Sequence, residues 1–117
     1  MGGFDEREKA FEAKYHLDEE LAFKIGVRRA KLLGLWVAEQ LGLSGEAGVV
    51  YARKAVEADL GDSAHVGLLA KLRTDLLAGG KDAAVGRLAD EFHRLEAEAR
   101  GQIVAEVTAG KQAIPPE

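Results

Sequence analysis

Two Asp-x-x-His pairs, Asp62/His65 and Asp90/His93, have the best spacing in this chain for metal chemistry. A separation of three puts two side chains on one helix face. Four-helix bundles hold di-metal centres with Glu-x-x-His on two helices and a lone Glu on each of the other two. Here the acids are Asp, and Asp62 falls where a helix should begin, near a bundle's end. Capping and solvation account for the pairs better, so no metal or other cofactor is expected. His16 beside Asp18, Glu19 and Glu20 could bind a cation or sense pH, but a solvated helix face is the simpler account. Lys24, Arg28, Arg29 and Lys31 could meet a nucleotide or phosphate ligand. Neither a Gly-rich phosphate loop nor a stacking aromatic accompanies them, so pairing with the chain's own acids is favoured. Trp36, flanked by Leu32 and Leu33, reads as core and not as a ligand platform. With no nucleophile elbow and no metalloprotease helix motif, no catalytic residue is expected.

The elements that carry these residues are helical. Apolar residues recur at helical spacing, and Val, Ile, Thr and aromatics never alternate over a strand's length. A first helix is expected from Phe4 through Leu21, Ile25, Leu32, Leu33, Trp36 and Val37 to Gly42, a C-cap candidate. Ser44 should N-cap a second, with Val49, Ala52, Val56 and Leu60 inward and Gly61 stopping it. Asp62 or Ser63 should cap a third, carrying Val66, Leu69, Leu72 and Leu76 and ending at Gly79-Gly80. The fourth, from Asp82, has the cleanest stripe: Val85, Leu88, Phe92, Leu95, Ala99 and Ile103. After Val107 the period lapses and Pro115-Pro116 close the chain. The fold expected is all-α: a small up-down four-helix bundle over residues 19–107, a mobile N-terminal segment over 1–18 and a disordered tail over 108–117. Several glycines fall inside these helices, each costing about 1 kcal/mol relative to Ala unless a close contact offsets it.

The totals narrow the classes. A formal charge of −4 argues against nucleic acid, which wants a concentrated basic face. The absence of cysteine removes disulfide and thiolate chemistry and suits a reducing compartment. Ten charges in the first twenty residues exclude a secretory leader there. No apolar run approaches the roughly 20 residues of a membrane span, so direct membrane insertion is not expected.

Phe4, Phe11 and Tyr15 form a narrow aromatic stripe, surrounded by Arg7, Glu8, Lys9, Glu12 and Lys14 with no aliphatic filling. Ordering roughly sixteen residues costs about 1–2 kcal/mol each in backbone entropy. Three aromatics return about 1.5–3 kcal/mol apiece, and only when something covers them. Residues 1–17 are therefore expected to order on a partner, laying one edge into its groove. The competing expectation is one long first helix continuous to Leu41.

The run Phe4-Asp5-Glu6-Arg7-Glu8-Lys9-Ala10-Phe11-Glu12-Ala13-Lys14-Tyr15, followed by Asp18-Glu19-Glu20-Leu21 and Phe23-Lys24, resembles the zeta subunit of the alphaproteobacterial F-type ATP synthase. Arg28-Arg29, Lys31-Leu32-Leu33-Gly34-Leu35-Trp36 and Leu41-Gly42-Leu43-Ser44-Gly45 extend the likeness, which thins afterwards. Ala30 and Gly26 depart from the usual pattern, outside the aromatic stripe. The resemblance implies a non-catalytic inhibitor whose N-terminal segment becomes helical in the interface between alpha and beta subunits, beside the gamma rotor. There it stops ATP hydrolysis while largely permitting synthesis. Carried over by position, the partner-binding residues are Phe4, Asp5, Arg7, Glu8, Phe11, Glu12 and Tyr15. The implied location is cytoplasmic and peripheral on the inner membrane through the F1 sector, with the free protein a monomer. The alternative is a small nucleotide- or phosphate-binding bundle using Lys24, Arg28 and Arg29.

Overall fold

A computed structural model describes the backbone of residues 2–113 and the side chains of residues 18–110. The chain is all-α, with α1 at Gly2–Gln40, α2 at Gly45–Asp59, α3 at Val66–Ala78 and α4 at Asp82–Ala113. The turns follow the capping chemistry in the sequence. Gly42 and Gly80 take positive φ, +80° and +73°. The amides that follow them, Leu43 N and Lys81 N, each donate back to a helix carbonyl, Ala38 O and Leu76 O, at 2.8 Å. This closes two Schellman ends where an L side chain would be strained.

The helix starts differ from expectation in detail. Ser44 occupies the N-cap of α2, but its hydroxyl makes no capping bond. The N-cap position of α3 belongs to His65, which lies in the left-handed region at φ 61° and ψ 22°. Asp62 still performs the capping chemistry from three residues upstream. Its carboxylate accepts from Gly67 N at 2.8 Å and from Ala64 N at 3.2 Å. These bonds, Gly67's first, hold its carboxyl below the usual range.

The helices form a closed up-down bundle. α1 packs on α2 and α4, and α3 bridges α2 and α4. Leu33, Val37, Leu68, Leu72, Leu76, Leu88, Phe92 and Leu95 form the main core with Ala30, Ala55 and Ala84. A smaller cluster of Ile25, Ala99 and Ile103, flanked by Leu21 and Val107, locks α1 to α4 at the far end. The α4 stripe stands as expected, with Val85 only partly buried. Two faces need correction. In α2 the buried residues are Gly48, Ala52 and Ala55, while Val49 and Leu60 are 47% and 52% exposed. In α3 Leu68 joins Leu72 and Leu76 inside, and Val66 is 65% exposed. The reason on α2 is steric. A Cβ on Gly34 of α1 would come within 2.8 Å of the Ala55 Cβ and 2.9 Å of the Ala52 Cα. The two backbones meet so closely that only small residues fit between them.

α1 has 39 residues, a rod of about 58 Å at 1.5 Å per residue, whereas the 15 residues of α2 span about 22 Å. The molecule accordingly measures 65 × 29 × 20 Å. Arg28 on α1 hydrogen-bonds Gln102 on antiparallel α4, a register that brings residue 17 level with Ala113, the last described residue of α4. The backbone of residues 2–16 thus runs past the described part of its neighbour. The aromatic stripe and His16 lie on that stretch, and their side chains are outside those described. α4 continues as helix to Ala113, beyond the lapse in period, but among the described residues Val107 is the last apolar side chain packed against the core. Residues 114–117 lie outside the description.

Gly34→Ala should destabilise the bundle by about 1–3 kcal/mol, because the added methyl overpacks the α1–α2 contact. Gly101→Ala, where a Cβ meets nothing within 4 Å, should stabilise it by about 0.5–1 kcal/mol. Urea unfolding of the two variants distinguishes these opposite signs.

Candidate functional site

The structure separates the basic cluster that the sequence groups together. Lys24 and Lys31 are exposed. Arg28 reaches α4, donating from Nη1 to Glu106 Oε2 at 2.6 Å and to Gln102 Oε1 at 2.8 Å, and from Nη2 to Glu106 Oε1 at 2.8 Å. This fork raises the arginine's pKa and lowers that of Glu106, in each case first through the hydrogen bond between them. Bidentate geometry of this kind fixes orientation as well as charge.

Arg29, with a side chain only 13% exposed, turns to a different neighbourhood. Its guanidinium lies 3.8 Å from the centroid of the Phe92 ring. Nη1 donates to Glu96 Oε1 at 3.2 Å, and Nη2 lies 3.3 Å from His65 Nε2. A guanidinium only donates, so Nε2 is the acceptor and Nδ1 carries the proton, which it gives to Asp59 Oδ1 at 2.8 Å. The His65 ring also packs edge-on against Phe92, with centroids 5.1 Å apart. This chain of contacts joins α1, the α2–α3 turn and α4. Arg28 and Arg29 thus pair with the bundle's own groups, in two different places, and do not converge on a phosphate-sized site.

The Asp-x-x-His pairs do not converge either. Asp62 serves backbone amides while His65 bonds Asp59, and Asp90 and His93 are both exposed on α4. Among the described residues no three His, Cys, Asp or Glu side chains are grouped to hold a metal ion. Trp36 packs against the core, with the Arg87 guanidinium 5.3 Å from its ring centroid.

One linkage escaped the sequence reading. Tyr51 on α2 donates to Asp75 Oδ2 on α3 at 2.6 Å, and Lys71 Nζ donates to the same oxygen at 3.0 Å. Lys71 and Asp75 are an i,i+4 pair that could have been flagged; the tyrosine had no local signal. Burial, and then the bond to Asp75, pushes the Tyr51 phenol well above its ordinary value. Burial alone would raise Asp75, but Tyr51 and Lys71 outweigh it and hold the carboxyl low.

Ahead of these docked arginines, the backbone of α1 runs on toward Gly2. The family model for ATPase inhibitor subunit zeta matches residues 1–102. The chain belongs to that family. The match takes in all of α1, α2 and α3 and reaches along α4 to Gln102, the acceptor that sets the α1–α4 register. No curated protein and no solved structure matches the chain. Membership makes the protein an ATPase inhibitor subunit, whose association is with the ATPase complex. No helix among the described residues is long and apolar enough to cross a membrane.

Tyr51→Phe should cost about 1 kcal/mol at neutral pH, the scale of one hydrogen bond. Asp75 is depressed in the folded state, so its contribution is full above the ordinary aspartate range and fades as pH falls through its lower folded value. The difference between the variant and the parent should therefore narrow in acid. At the alkaline end the raised phenol destabilises the native protein once the unfolded tyrosine ionises, near pH 10, and the variant lacks that loss. Denaturant unfolding across pH reads both limbs.

Proposed function

We propose that residues 1–18 are the inhibitory element. They enter the catalytic interface between the alpha and beta subunits beside the gamma rotor, block ATP hydrolysis and largely permit synthesis. The observation that carries this is the α1 overshoot in a chain of the zeta family: a helix whose first turns run beyond the bundle has a rod to insert. Phe4, Phe11 and Tyr15 supply the apolar edge. Asp5, Arg7, Glu8 and Glu12 supply charge on the flanks and keep the rod soluble when it is withdrawn. Buried aromatic anchors with a polar surround are the usual source of binding energy at such interfaces. The bundle holds the rod and takes no part in ATP chemistry. The protein would sit at the cytoplasmic side of the membrane through the F1 sector.

The nucleotide-binding alternative finds little support in the geometry, since Arg28 and Arg29 are already engaged on α4 and the α2–α3 turn.

A chain lacking residues 1–15 should keep the thermal unfolding transition of the bundle and lose inhibition of ATP hydrolysis by its cognate F1. Full inhibition by the truncated chain would refute the role of the segment. In the full chain, Phe11→Ala with Tyr15→Ala should raise the inhibitory concentration at least roughly tenfold. Amide exchange on the free protein should be fast before Leu17 and slow after Leu21, with protection spreading to the segment on adding F1.

A further inference from the structure

Beyond the α2–α3 turn, α1 and α4 continue as a two-helix ledge. α2 ends at Asp59 and α3 begins only at Val66, while α1 and α4 stay paired through Ile25, Ala99 and Ile103. The step between turn and ledge encloses a groove of about 870 Å³. Ala22, Gly26 and Ala30 line it at four-residue spacing on α1, and a Cβ at Gly26 would meet nothing within 4 Å. Leu60 from the turn and Val104 from α4 also line it, and both are about half exposed. Small residues on one side with apolar residues around them leave room for a helix to lie close against the ledge.

The charges decide what fits. Asp18, Asp59, Asp62 and Glu96 line the groove, against two guanidiniums, Arg29 and Arg100, which both bond Glu96. A second copy of this chain would bring the same acidic lining to face it, at a like-charge cost. The chain's own first turns leave along the α1 axis, past the ledge. We infer that the groove seats a cationic amphipathic helix of the ATPase, roughly three turns long, giving the inhibitor a second hold separate from the inserted rod. The inference rests on the proposed inhibitory role.

The test uses positions off α1, so that the inserted rod is untouched. Leu60→Ser with Val104→Ser in the full chain should weaken binding to cognate F1 about tenfold or more by surface plasmon resonance, while inhibition at saturating concentration stays complete. Val66→Ser with Leu77→Ser, equally exposed apolar positions outside the groove lining, should bind like the parent. Equal affinity of the groove variant and the parent, with the parent inhibiting normally, overturns the groove and leaves the inhibitory role standing. A parent chain that fails to inhibit F1 overturns the inhibitory role and the groove with it. A dimer of the free protein in sedimentation that the groove substitutions dissolve assigns the site to a second copy and overturns the ATPase helix as occupant.

Discussion

The contact between Gly34 and the Ala52–Ala55 face of α2 governs how the rest of the bundle is arranged. A Cβ at Gly34 would stand 2.8 Å from that of Ala55, inside any tolerable separation, so the glycine is what lets the two backbones close. Once they close, α2 must present its small side, Gly48, Ala52 and Ala55. Tyr51 and Val56 pack at the edge of the core, while Val49 and Leu60 end up at the surface. Leu60 then sits at the α2–α3 turn facing the α1–α4 ledge, where it lines the groove. A single missing methyl on α1 thus determines which surface α2 offers outside.

The same contact explains where the sequence was legible. In α4 the apolar residues are also the large ones, so periodicity and packing select the same face, and Leu88, Phe92, Leu95, Ala99 and Ile103 are all buried. In α2 they diverge. Hydrophobicity picks Val49, Ala52, Val56 and Leu60; Ala52 is buried and Val56 packs against the core, but close approach of the backbones favours Gly48 and Ala55 over Val49 and Leu60. In α3 the shift has another source. His65 adopts a left-handed conformation that no local pattern in the sequence announces, and the helix starts at Val66, leaving that valine exposed. Asp62 and His65 do not share a helix face either, because the chain turns across residues 62–65, as the placing of Asp62 at a helix start had implied.

Electrostatics at the ledge were legible as pairing but not as geometry. The four bases between Lys24 and Lys31 could be matched to acids in number, yet only the fold shows Arg28 spanning to Glu106 and Arg29 to Glu96 and His65. These polar ties hold α1 to α4 and to the α2–α3 turn. Arg28 bonds two residues one helical turn apart on α4, Gln102 and Glu106, which resists both sliding and rolling of α1. The positions proposed as inhibitory rest on the family likeness, and their side chains lie outside those described.

The continuity of α1 alters the energetic account of the segment drawn from composition. As a free peptide, residues 2–17 would face helix nucleation, a factor of roughly 10⁻³, or about 4 kcal/mol, before any turn could form. Here the helix from Asp18 to Gln40 is already fixed by Ile25, Leu33, Val37 and the Arg28 ties, so it serves as the nucleus and each further residue costs only propagation. Fraying then starts at the Gly2 end and works inward, instead of melting the segment as a unit. That suits a rod which must enter a partner: the turns nearest the bundle are templated in line with α1, and the outer turns need only the partner's surface to complete them. Composition alone could not distinguish this from a disordered tail, because the distinction lies in what the segment is attached to.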